Sequence, residues 1–139
     1  MAQFEDLKEL GIFPLGEKNE AYAQFFTGQS YLKALAQAPD GHFGVGNVTF
    51  EPGCRNNWHR HLGGYQILLV TGGQGLYQEA GKPAQLLHQG DVVVIADGVK
   101  HWHGATADSW FSHVAITAGQ AEWLEEVSEQ DYAQAHPGQ

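Results

Sequence analysis

The sequence predicts an all-β domain, a barrel or roll of short strands with a short helix at each end. Three observations carry that reading. Segments 25–35, 43–51, 55–61, 65–71, 75–79, 91–95 and 110–117 are rich in Phe, Tyr, Val, Ile and Trp, and Gly, Pro, Asn or Asp clusters separate them. Thirteen of the 18 glycines lie between Gly41 and Gly104, where tight turns must join those segments. The 139 residues contain no internal repeat, low-complexity tract or linker. Residues 1–139 therefore read as one domain with one core, its barrel spanning about 25–117.

The elements follow in order. Phe4, Leu7 and Leu10 fall at helical spacing and predict a turn or two of N-terminal amphipathic helix, which Gly11, Pro14 and Gly16 end. Evenly spaced strands then imply a closed or rolled sheet. Ile67 to Val70 is apolar on both strand faces, so the outer face also needs a cover, and a homodimer or higher homo-oligomer is the expected one. Trp58, Trp102, Trp110 and Tyr31 are expected to pack a second sheet or a subunit contact. Ala121, Trp123, Leu124 and Val127 predict a short C-terminal helix before a polar tail.

Charge excludes some partners. The formal net charge is −9, but residues 1–20 and 122–139 carry −8 of it and the middle only −1. The acidic ends read as solvated surface, and without clustered Lys and Arg no nucleic acid is expected as a partner. The apolar runs are too short to cross a bilayer, so no membrane partner is expected. The start lacks a secretory pattern and Cys54 is the one cysteine, which together predict a cytoplasmic protein in which Cys54 is a small buried residue.

Seven of the eight histidines lie between His42 and His113. His59 and His61 are two apart, so on a strand both face one side. A glycine turn at Gly63-Gly64 is expected to bring the chain back, with Gln66 heading the strand QILLV on the face of Leu68 and Val70. His101 follows Gly98 and a strand ending VVVI. Three imidazoles and an amide oxygen suit a divalent transition metal with positions left open for water or substrate. This donor set accepts Mn, Fe, Co, Ni or Zn alike.

The spacing resembles that of the cupins, small jelly-roll β-barrels with two metal-binding motifs. Gly53, His59, His61, Gln66 and Gly73 match the first motif, with Gln66 where Glu is usual. Gly90, Gly98 and His101 match the second, with Ala96 where Pro is usual and Ala105 where Asn is usual. The resemblance covers about residues 40–117 and implies a metal at His59, His61, Gln66 and His101. The phrases VTFEPG, QGDVV, KHWHGA and SHVAI are similar to a narrower group, the small cupins associated with carboxymuconolactone-decarboxylase-like domains. Some of that group are manganese-dependent hydroxynitrile lyases, which puts Mn first among the ions.

A neutral Gln66 leaves a divalent ion its full charge, which favours a bound alkoxide or enolate. His103 shares the parity of His101 and is the candidate general base, with Trp102 outside the barrel. His113, on one face with Phe111 and Ala115, is a second catalytic candidate. Arg55 shares the parity of His59 and His61 if the strand is unbroken and would then hold a carboxylate substrate, whereas an ion pair at the barrel rim is the commoner fate of such a residue. His42, His88 and His136 read as surface or turn residues. The leading expectation is a metal-dependent enzyme cleaving or forming a carbon–carbon bond in a small molecule. Metal-dependent dioxygenation and non-catalytic binding of a metal or small ligand are the alternatives.

Overall fold

A computed structural model of the protein describes residues 11–138. The expected N-terminal helix over Phe4, Leu7 and Leu10 lies outside the described residues. The elements are β1 (Glu17–Lys18), a 3-10 turn (Ala23–Phe25), β2 (Phe26–Thr27), β3 (Ser30–Gln37), β4 (Gly44–Phe50) and β5 (Arg55–Asn56). They continue with β6 (His59–Glu79), β7 (Gln85–His88), β8 (Val92–Ile95), β9 (His101–Ala105), β10 (Phe111–Trp123) and α1 (Glu129–Gln134).

The strands make one curled sheet in the order β1-β3-β4-β10-β6-β9-β5-β2, with β7 and β8 also pairing with β6. The long β6 organises it. One edge runs antiparallel to β10, from Phe111 opposite Gly73 to Trp123 opposite His59. The other edge meets β8 at Gln66 to Leu69, β7 at Gln74 to Tyr77, and β9, where Tyr77 faces His103.

The glycine turn expected at Gly63-Gly64 is instead a bulge inside this continuous strand. Tyr65 faces Ala118 and Leu62 faces Gln120, so Gly63 and Gly64 together oppose Gly119 alone. Gly63 and Gly119 take φ of 76° and 89°, where a Cβ is strained, and a Cβ on Gly64 would lie 2.2 Å from the Ala118 carbonyl oxygen. The extra residue reverses strand parity. Odd-numbered His59 and His61 are buried before the bulge, even-numbered Gln66, Leu68 and Val70 after it, and all five therefore share the inner face.

Inside the curl, Phe50, Leu68, Val70, Tyr77, Ile95, Phe111 and Ala115 form the main core with buried Cys54. Outside it, Leu76, Trp102, Val127 and Tyr132 form a second cluster, so Trp102 is covered by its own chain and not by a subunit contact. Tyr31 and Trp110 stack on one another at 6.2 Å between centroids.

Two local expectations are corrected here. Residues up to Trp123 extend β10, because they pair with Leu62 to His59, and the helix starts only at Glu129, capped where the Asp131 N–H donates to Ser128 Oγ. Arg55 is turned away from the histidines, because the chain leaves strand geometry at Asn57 and Trp58 and parity is lost there. Its fate is the expected alternative, an ion pair: Nη2 donates to Glu129 at 3.0 Å and to the Val127 carbonyl at 3.1 Å, and the guanidinium lies 4.2 Å from the centre of the Tyr132 ring. The Tyr132 hydroxyl donates to the Ala105 carbonyl at 2.6 Å. Arg55 and Tyr132 thus strap the C-terminal segment to the back of β5 and β9. No helix among the described residues is long and apolar enough to cross a membrane.

Candidate metal centre

His59 and His61 come from the start of β6 and His101 from the start of β9. Each offers a ring nitrogen, and the three nitrogens lie within 4.8 Å of one another. The His59 Nδ1–H donates to the Asn57 carbonyl at 2.8 Å and the His101 Nδ1–H to the Val99 carbonyl at 2.9 Å. These bonds leave Nε2 of both rings as bare acceptors, the tautomer that metal ligation needs. Neither ring nitrogen of His61 has a hydrogen-bond partner among the described residues although the residue is buried. An unmet buried polar atom costs about 1–3 kcal/mol, which a coordinated cation would remove.

Gln66 turns its carbonyl oxygen to the same point. Its Nε2 donates to Thr117 Oγ1 at 3.0 Å, while Oε1 lies 3.4 Å from His101 Nε2 and 3.4 Å from His103 Nε2. The residues present therefore fit a divalent cation held by three neutral nitrogens and one neutral oxygen.

His103 and His113 form a second layer beside this group. Both are buried, and His113 Nε2 is 3.3 Å from His103 Nδ1. The His103 backbone N–H donates to Asn56 Oδ1 at 2.9 Å. Burial holds all five imidazoles below the ordinary histidine value, His101 at about 4 and His113 at about 3. Near pH 7 all five are neutral, as ligation and proton acceptance both require.

His59, His61, Gln66, His103, His113 and Asn56 line a cavity of about 650 Å³, and His101 packs beside them. Tyr22, Phe26, Phe50 and Trp123 line it, and Trp123 stacks on His59 with 4.6 Å between centroids. No Asp, Glu, Lys or Arg is among the described residues that line it. Of the residues singled out from sequence, the structure brings His59, His61, Gln66, His101, His103 and His113 together and leaves Arg55 outside. His42 and His88 are exposed, and His136 accepts the Ala107 N–H in the C-terminal segment.

Sequence reasoning missed Asn56, Thr117 and Trp123. Thr117 was within reach, since it continues the alternate face of His113 and Ala115. Trp123 was hidden by its helix-like spacing, and Asn56 by the break in strand parity after it.

Comparison with known proteins gives the same picture. The family model for the cupin domain matches residues 46–122. An (R)-mandelonitrile lyase from Granulicella tundricola is 44% identical over 115 residues, covering 79% of this chain and 87% of that protein. The crystal structure of a cupin-like protein from Thermotoga maritima superposes with a TM-score of 0.85 at 46% identity, over 92% of this chain and 98% of that one. A predicted oxalate decarboxylase from the same organism shares the fold, with a TM-score of 0.66 and 19% identity over 84% of this chain and 96% of its own.

Proposed function

The chain belongs to the cupin family, and from that premise we propose that it is a metal-dependent lyase that cleaves or forms a carbon–carbon bond in a small neutral molecule, as a hydroxynitrile lyase does. The observation that carries this reading is a neutral donor set, His59, His61, His101 and Gln66, beside an aromatic-walled cavity with no Asp, Glu, Lys or Arg among its described lining residues. Resemblance to the mandelonitrile lyase supports it.

A divalent ion, manganese first, held by His59, His61, His101 and Gln66 would supply an undiminished double positive charge that binds a hydroxyl oxygen and favours its ionised form. The chain's own residues do the rest. His103 Nε2 faces the ligand side and receives the hydroxyl proton. Its Nδ1–H then donates to His113 Nε2 at 3.3 Å, so the charge gained is shared between two rings. The bond from the carbinol carbon to cyanide breaks, its electron pair leaves on the cyanide carbon, and a carbonyl forms. Returning the proton from His103 Nε2 gives hydrogen cyanide. Tyr22, Phe26, Phe50 and Trp123 offer an aromatic ring its contacts and exclude water.

The test is elemental analysis of protein purified without chelator from metal-replete cells, alongside His101→Ala, followed by mandelonitrile cleavage on the manganese-loaded protein. About one divalent ion per chain, its loss in His101→Ala, and benzaldehyde release above the buffer rate are expected. No bound metal, or no benzaldehyde at any pH from 5 to 8, overturns the reading. Oxygen uptake coupled to turnover would point to dioxygenation instead.

A further inference from the structure

Asn56 is 3% exposed at the end of β5 and lines the same cavity. Its amide is locked from one side, because Oδ1 accepts the His103 backbone N–H at 2.9 Å. That bond fixes where Nδ2 points. Nδ2 lies 3.3 Å from His103 Nδ1 and 3.4 Å from His103 Nε2, nearly equidistant from the two ring nitrogens. An amide nitrogen carries two hydrogens, and the ring can engage only one of them well. No other acceptor among the described residues takes the second. The amide thus presents a fixed N–H to the cavity beside the proton acceptor, where none of the described lining residues is a permanent cation.

We propose that Asn56 Nδ2 is a catalytic hydrogen-bond donor that binds the nitrogen end of the departing cyanide. The inference rests on the lyase reading above. As the carbon–carbon bond breaks, negative charge develops on the cyanide, and a preorganised donor stabilises that charge more than it stabilises the neutral nitrile. Covalent bonding is unchanged by this contact. The electron pair still leaves on the cyanide carbon, and the proton still returns from His103. In the reverse direction the same N–H orients the incoming cyanide so that its carbon faces the carbonyl.

The experiment separates anion binding from general damage. Sodium azide, a linear anion, and benzaldehyde, a neutral product, are titrated separately by calorimetry into manganese-loaded protein, Asn56→Leu and Asn56→Ser. Asn56→Leu removes the donor at similar volume, and Asn56→Ser keeps a hydroxyl donor. Asn56→Leu should weaken azide and lower kcat/KM for mandelonitrile by about tenfold or more, the effect of losing a hydrogen bond to a charged group. Benzaldehyde affinity should stay within about twofold, while Asn56→Ser recovers part of the azide affinity. Azide and benzaldehyde weakened alike, or azide binding unchanged in a folded Asn56→Leu, overturns the role of Asn56. If the unaltered protein fails to cleave mandelonitrile, the lyase reading falls, and selective loss of azide in Asn56→Leu still supports the donor.

Discussion

Acidification from pH 7 to pH 5 should destabilise the metal-free protein steeply, and the histidine cluster sets the size of the effect. Burial lowers His101 to about 4 and His113 to about 3 in the folded chain, against an unfolded value of 6.5 for each. Below pH 6.5 the unfolded chain therefore takes up protons that the folded chain refuses. Stability is complete above that value and falls as pH drops through the window between 6.5 and the folded values. At pH 5, inside both windows, each group costs about 2 kcal/mol, or about 4 kcal/mol for the two. His59, His61 and His103 are lowered by burial as well and act with the same sign. Carboxylates do not mask the trend. Glu79 is lowered by the Tyr77 hydroxyl and Glu125 by Lys100, so their contributions are lost only below the ordinary carboxylate value of 4.5. Urea unfolding in the presence of a chelator, followed by tryptophan fluorescence at pH 7, 6 and 5, reads the effect directly. With a slope of about 2 kcal/mol per molar urea, the midpoint should fall by about 2 M between pH 7 and 5. A midpoint that moves by less than about 0.3 M, or rises, refutes the claim that burial keeps these rings neutral.

Two substitutions test the geometry behind the site. Gly64→Ala puts a Cβ 2.2 Å from the Ala118 carbonyl oxygen, so it should lower stability by about 1–3 kcal/mol or more and reduce metal content, read by thermal melting and elemental analysis. Gln66→Glu adds a carboxylate to the ligand set. It should slow metal loss to chelator while lowering mandelonitrile turnover by about tenfold, since the ion then keeps less net charge for the substrate oxygen.

Alternation along strands was the strongest signal in the sequence, and it failed wherever backbone irregularity changed the parity. The apolar segments 43–51, 91–95 and 110–117 match β4, β8 and the first part of β10 because period-2 alternation and flanking turn residues mark strands directly. Segments 55–61, 65–71 and 75–79 looked separate because glycines interrupt them. In three dimensions those glycines permit a bulge and a close approach within β6, and a single-strand pattern cannot distinguish that use from a turn. Trp123 illustrates the opposite failure. With Leu124 and Val127 it has helical spacing, yet pairing with His59 outweighs that local preference.

The site was more legible than the path of the chain, and the bulge explains why. Motif spacing places His59, His61, Gln66 and His101 together whatever lies between them, whereas parity alone would put Gln66 on the face opposite His59. The extra residue at Gly63-Gly64 reconciles the two, so glycine at these positions is as much a condition of the ligand set as the histidines are. Charge placement then constrains the chemistry. The acids that make the chain −9 lie mainly at its ends, and none is among the described residues that line the cavity. A carboxylate substrate would find no Arg or Lys among the described residues of the cavity, since Arg55 is already engaged with Glu129. In the proposed reaction a neutral substrate would enter without that penalty, and its negative charge would develop where the ion, the His103–His113 pair and the Asn56 amide converge. Under that proposal the cavity meets charge that appears during the reaction, and not charge carried in.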